Sequence, residues 1–298
     1  MSYVTSDSIQ LYVESTGTGV PIIFVHEFAG DFRSWESQVR YFARRYRCVT
    51  FNARGYPPSE VPATMDAYSQ EVWVSDIANI IRNLELGEAH IVGLSMGGYA
   101  ALHFGLTHPE LCRSLVIASV GHGSDASRRE VFLEATGAMA KRMLEEGMDA
   151  ATREYRNGEV RKLFREKDPR GFKEASTQFV EHSALGSALT SRGYQMRRPT
   201  VYSLKDRMEK MQVPTLIVAG DHDDPCLDPS LFMKRTIPNS RLWVMPHATH
   251  ALNLEEPDTF NRGVLDFLTE IDGLSPIGTL AQVPINTLSA GSNTGLQK

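Results

Sequence analysis

The stretch Ile91-Val92-Gly93-Leu94-Ser95-Met96-Gly97-Gly98-Tyr99-Ala100-Ala101-Leu102 decides how the rest of the chain is read. An apolar run led by Ala89-His90 and rich in β-branched residues meets Gly-x-Ser-x-Gly, then passes at once into a small-residue helical pattern. A strand-to-helix turn this tight needs glycine on either side of the serine and leaves its hydroxyl exposed above a sheet edge, the geometry of a nucleophile elbow. The five-residue string alone recurs by chance in loops. Strand, turn and helix around it make it informative.

Working outward, short apolar runs recur at Pro21–Val25, Arg47–Phe51, Leu115–Ala118, Val213–Ala219 and Arg241–Met245, with Ile9–Val13 as an outer strand. Helical stripes lie between them. One carries Trp35, Val39 and Phe42 behind a cap at Asp31 or Ser34. Ser69 opens a longer one with Trp73, Ile77, Ile80, Ile81 and Leu84 on one face, and Pro257 sits at the first turn of a last helix. The alternation predicts an α/β fold, a mostly parallel central sheet with helices on both faces. From 122 to 207 the strand pattern stops and only helical stripes appear. The expected organisation is therefore a core of residues 1–121 and 208–272, an all-helical cap inserted at 122–207, and a flexible C-terminal tail at 273–298.

Composition narrows the partners. A net charge of -5 over 298 residues provides no basic footprint for nucleic acid, and no polybasic tract suggests an anionic membrane. The polar start reads as no signal peptide, and no apolar run approaches the ~20 residues of a membrane helix, so a cytoplasmic protein acting on a small molecule is expected. Cys48, Cys112 and Cys226 are odd in number and widely spaced, which argues against a disulfide scaffold or a zinc site. No metal and no other cofactor is expected, and whether the chain forms a homo-oligomer stays open.

A serine hydroxyl is a poor nucleophile at neutral pH, so the elbow calls for a histidine base and a carboxylate that orients it. Gly220-Asp221-His222-Asp223-Asp224-Pro225 follows one late strand and Pro246-His247-Ala248-Thr249-His250 follows the next. Serine, acid and histidine thus occur in that order, each in a loop at a strand end.

With these motifs the chain resembles the α/β-hydrolase fold superfamily from about Ile9 to Ile271, interrupted by the helical cap. The resemblance implies Asp223 as the acid, three residues past its glycine, rather than Asp221, with Asp224 second in line. It implies His250, followed by Asn253-Leu254-Glu255-Glu256-Pro257, rather than His247. It also implies an oxyanion hole of two backbone N–H groups, Met96 after the nucleophile and Phe28 in the loop His26-Glu27-Phe28. Glu27 departs from the family pattern, standing where a glycine is usual. It reads either as a salt-bridged residue, with Arg54 as partner, or as an auxiliary acid/base bordering the pocket. Arg192, Arg197 and Arg198 read as a solvated charge run ahead of a site for a substrate carboxylate.

The expected activity is serine hydrolysis of an ester or lactone of a small, largely apolar molecule. Two alternatives keep the same residues: a hydrolase of carbon–carbon bonds in diketones, and a non-catalytic receptor that uses the capped pocket to hold a ligand.

Overall fold

The structure, a computed structural model, describes residues 2–273. Of the expected tail at 273–298, residues 274–298 lie outside the described residues. Eight strands form one sheet: β1 (Ser2–Ser6), β2 (Ile9–Thr16), β3 (Pro21–Val25), β4 (Arg47–Phe51), β5 (Ala89–Leu94), β6 (Cys112–Ala118), β7 (Thr215–Gly220) and β8 (Ser240–Met245). Their spatial order is β1-β2-β4-β3-β5-β6-β7-β8. The first two pairings, β1 with β2 and β2 with β4, are antiparallel, and the rest are parallel.

β3, β5 and β7 are buried along their whole length, as strands covered by helices on both faces must be. The strand missed by the sequence is β1, Ser-Tyr-Val-Thr-Ser, in which Val4 is the one aliphatic residue, so no apolar run announces it. Being the edge, it needs to bury little. It also puts Ile9–Val13 inside the sheet rather than at its margin.

Eleven α-helices accompany the sheet among the described residues. On the core they are α1 (Glu36–Phe42), α2 (Gln70–Asn83) and α3 (Met96–Thr107). Between β6 and β7 come α4 (Arg129–Asn157), α5 (Lys162–Lys167), α6 (Pro169–Val180), α7 (Ala184–Thr190) and α8 (Lys205–Met208). α9 (Asp224–Thr236), α10 (Leu252–Glu255) and α11 (Pro257–Ile271) complete the chain. Ser69 caps α2 by accepting from the Val72 N–H at 3.2 Å, and Asp31 caps the short turn before α1. One sheet face packs Ile23, Val49, Ile91 and Ile117 against Trp73, Ile77 and the small residues of α3. The other packs Phe24, Val92, Val116 and Val218 against Trp35, Phe42, Phe260 and Val264. α4 bends at Gly147, whose φ of 80° breaks the helical run.

The carboxyl ends of β3, β5, β6, β7 and β8 lie side by side, so the loops after them converge on one rim of the sheet. That rim is where ligands of open α/β sheets bind, and it carries Glu27, Phe28, Ser95, Met96, Asp223 and His250, while Arg192, Arg197 and Arg198 lie in the insertion between β6 and β7.

Candidate active site

Ser95 joins β5 to α3 with φ 52° and ψ -112°, a conformation that lifts a non-glycine residue out of both neighbouring elements. Its surroundings explain why glycines flank it. A Cβ on Gly93 would overlap the Gly97 carbonyl, and a Cβ on Gly97 would overlap the Val25 carbonyl of the neighbouring strand loop. The turn therefore closes only with hydrogen at both positions. Ser95 itself remains partly exposed while its neighbours are buried.

The two late loops meet it. His250 Nε2 lies 2.8 Å from Ser95 Oγ, and His250 Nδ1 lies 2.7 Å from Asp223 Oδ2. Asp223 is fully buried at the head of α9, with its backbone N–H donating to the Gly220 carbonyl at 3.1 Å. Asp221 and Asp224 are exposed. Asp221 accepts from the Ala248 N–H at 3.1 Å and so braces the histidine loop instead of orienting the ring. His247 is exposed as well. The His250 carbonyl accepts from Ser119 Oγ at 2.8 Å, and Glu255 accepts from the Thr249 N–H and hydroxyl, holding the loop from below.

Burial alone would disfavour charge on both partners, yet their mutual interaction reverses the outcome. Burial opposes ionisation of Asp223, but the His250 and His122 rings outweigh it and hold its carboxyl well below the usual range. Burial also pulls His250 down, and the Asp223 carboxylate, its hydrogen bond and the field of Glu27 overcome this to raise it above its ordinary value.

His122, in the loop after β6, joins this group, and nothing in the sequence assigns it a role. Its Nε2 lies 3.6 Å from Asp223 Oδ1, and its ring meets that of His250 edge-on at 5.0 Å. Burial lowers its pKa, so it faces the acid as a neutral ring. Its signal was positional: Gly121-His122-Gly123 follows a strand of the same parallel set as the other site loops.

Met96 opens α3, so its N–H is among those a helix leaves without an internal partner. Phe28, in the loop after β3, lines the cavity that also contains Ser95 and His250. That cavity measures about 440 Å³ and is roofed by the inserted helices, with Phe132, Met139, Ala151, Tyr155 and Val160 among its walls. The same insertion touches the relay directly, since the His250 N–H donates to the Val160 carbonyl at 3.3 Å.

The expected partner of Glu27 needs correction. Arg54 donates to Asp76 at 2.8 and 2.6 Å, because the loop after β4 turns toward α2. Glu27 instead meets Arg161, from the insertion, at 2.7 Å, with side chains only 2% and 7% exposed. Burial works against its charge, but Arg161 and His250 outweigh it and lower the Glu27 pKa, so it is an anion. Glu27 is not among the residues lining the Ser95 cavity.

His122, Asp223, Cys226 and His250 bring ligand-type atoms within 4.8 Å of one another. Two of them already serve each other, the His250 ring and Asp223 at 2.7 Å, and Cys226 Sγ lies 4.0 Å from His250 Nδ1.

Residues 20–257 match the model of a family described as alpha/beta hydrolase fold. The chain belongs to this family. It is 24% identical over 249 residues to 3-oxoadipate enol-lactonase 2 of Acinetobacter baylyi, covering 82% of this chain and 86% of that protein. It is 25% identical over 284 residues to epoxide hydrolase 3 of Xenopus tropicalis, covering 87% and 74% respectively. Among solved structures it is similar to a thermophilic esterase from Thermogutta terrifontis, solved with malate bound, at a TM-score of 0.80 and 25% identity over 91% of this chain and 98% of that one. The hydrolase class of the chain follows, while these names span ester, lactone and epoxide. Among the described residues, no helix is long and apolar enough to cross a membrane.

Proposed function

We propose that this hydrolase cleaves an ester or lactone of a small molecule by a serine mechanism, with the helices of residues 122–207 serving as the lid. The observation that carries the reading is the continuous chain of two short contacts, Ser95 Oγ to His250 Nε2 at 2.8 Å and His250 Nδ1 to Asp223 Oδ2 at 2.7 Å. Two relatives named for an enol-lactonase and an esterase support it.

In this reading His250 takes the Ser95 proton as the oxygen attacks the acyl carbonyl. Asp223 keeps the ring in the tautomer that presents Nε2 to serine and stabilises the imidazolium that forms. The carbonyl oxygen, now negative, is held by the N–H groups of Met96 and Phe28. The imidazolium passes its proton to the departing alcohol oxygen and leaves an acyl ester on Ser95. Water then attacks that ester with His250 again as base, releasing the acid and restoring the hydroxyl. Tyr194, from the insertion, donates to the Met96 carbonyl at 2.9 Å and helps hold this end of α3.

The test is hydrolysis of short-chain methyl and aryl esters and lactones by the protein and its Ser95→Ala variant. Turnover should fall by roughly 10⁴ or more in the variant. Near-normal turnover by Ser95→Ala contradicts the mechanism.

A further inference from the structure

Arg198 lines the same cavity as Ser95 and His250, yet only 3% of it is exposed. One guanidinium nitrogen donates to the side-chain carbonyl of Gln195 at 2.7 Å and the other to the His122 backbone carbonyl at 2.9 Å, while Nε has no partner. The guanidinium lies 3.9 Å from the centre of the Tyr99 ring. Among the described residues no carboxylate comes within salt-bridge distance of Arg198.

Its neighbour adds to the positive charge. Arg129 donates to the carbonyls of Gly123, Met196 and Arg198, again with no carboxylate partner among the described residues, and burial together with the charge of Arg198 depresses its pKa. Asp223 Oδ2 pairs with the His250 ring and its Oδ1 faces His122 at 3.6 Å, so neither oxygen is paired with Arg198. Removing a guanidinium from water without a counter-ion is costly, so such a site is completed by an anion that arrives with a ligand.

The location says which part of the ligand carries the anion. Tyr99 follows Ser95 by one helical turn, about 5.4 Å along α3, so the charge sits close to the reacting centre. The planar fork of Arg198 and the amide nitrogen of Gln195, whose oxygen is already used, present donors suited to a planar carboxylate.

We propose that Arg198, with Gln195, binds a carboxylate carried by the substrate, which makes the preferred substrate an ester or lactone of a short dicarboxylic or other acid-bearing molecule. This rests on the acyl-hydrolase reading above and narrows its substrate class.

The experiment compares monomethyl succinate, glutarate and adipate with methyl butyrate, pentanoate and hexanoate, following acid release in a pH-stat. The protein should favour at least one half-ester over its neutral counterpart by about 10- to 100-fold in kcat/KM, the range of a charge-assisted contact. In Arg198→Met that ratio should collapse to about one, mainly through KM, and Arg198→Lys should restore part of it. Gln195→Leu, which keeps the guanidinium, should lower the ratio by a smaller factor and serves if Arg198→Met does not fold. A ratio near one in the unaltered protein, or equal losses on both substrate sets in the Arg198 variant, overturns the proposal. The latter would mean a structural tie or a contact to the acid that every ester releases. Calorimetric binding of glutarate to Ser95→Ala separates the two levels. Arg198-dependent binding with no ester turnover would retain the carboxylate site and reject the hydrolase, whereas turnover of neutral esters without glutarate binding would do the reverse.

Discussion

Two buried arginines come from the insertion between β6 and β7, and their charges are met differently. Arg161 stands over the loop after β3 with Glu27 at 2.7 Å, while Arg198 stands over α3 with carbonyls, an amide and an aromatic ring. A paired buried charge leaves nothing for a ligand to complete and ties two chain segments together; here it ties the insertion to the loop after β3. An unpaired one leaves a charge to be met from outside.

The largest effect should come from breaking the pair. Arg161→Met strands the Glu27 carboxylate in a buried site and should cost about 3–5 kcal/mol of stability in urea unfolding, whereas Arg161→Met combined with Glu27→Gln should recover most of it. Equal losses in the single and double variants would mean the pair is not what holds this corner.

Acid should also attack the Arg161 corner. His26, next to Glu27, donates from Nδ1 to the Glu27 carbonyl and accepts from the Ala53 N–H at Nε2, and burial lowers its pKa to about 4. Because the unfolded chain binds this proton first, stability contributed by neutral His26 is intact above about pH 6.5 and is lost as pH falls toward 4, of order 3 kcal/mol. Stability that stays flat across that window would contradict the assignment.

Arg198→Met should be gentler, costing about 1–2 kcal/mol in the same unfolding experiment, because the ring contact and two hydrogen bonds it loses are offset by the relief of burying an unpaired guanidinium. A loss as large as that of Arg161→Met would erase the distinction between the corners.

The smallest effect is on the pH profile. The base works only as neutral imidazole, so kcat/KM should decline as pH falls through the raised His250 pKa. Glu27→Gln removes an anion that raises this pKa and should move the acid limb to lower pH. Arg161→Met removes a cation that lowers it and should move the limb upward. Shifts in the same direction would show that the two side chains do not act through their fields.

Which of these features could be read in the chain depends on distance along it. Strand periodicity locates Ser95 and the two late loops, the family resemblance selects Asp223 and His250 within them, and the structure brings the three side chains together. His122 follows a strand in the same way but had no expected role to draw attention to it. The Glu27–Arg161 contact joins residues 134 apart, and no local pattern pairs a loop carboxylate with one arginine of a helical insertion rather than with Arg54. Arg198 looked like part of a charge run because sequence shows composition but not burial. β1 was missed for the converse reason, as an edge strand needs few apolar residues.

The central claim is that Ser95 is an activated nucleophile, and covalent trapping addresses it most directly. Incubation with a fluorophosphonate followed by peptide mass spectrometry should place one adduct on Ser95, at a rate that falls steeply in His250→Ala. An unlabelled Ser95 peptide, or labelling as fast without His250 as with it, would contradict the account.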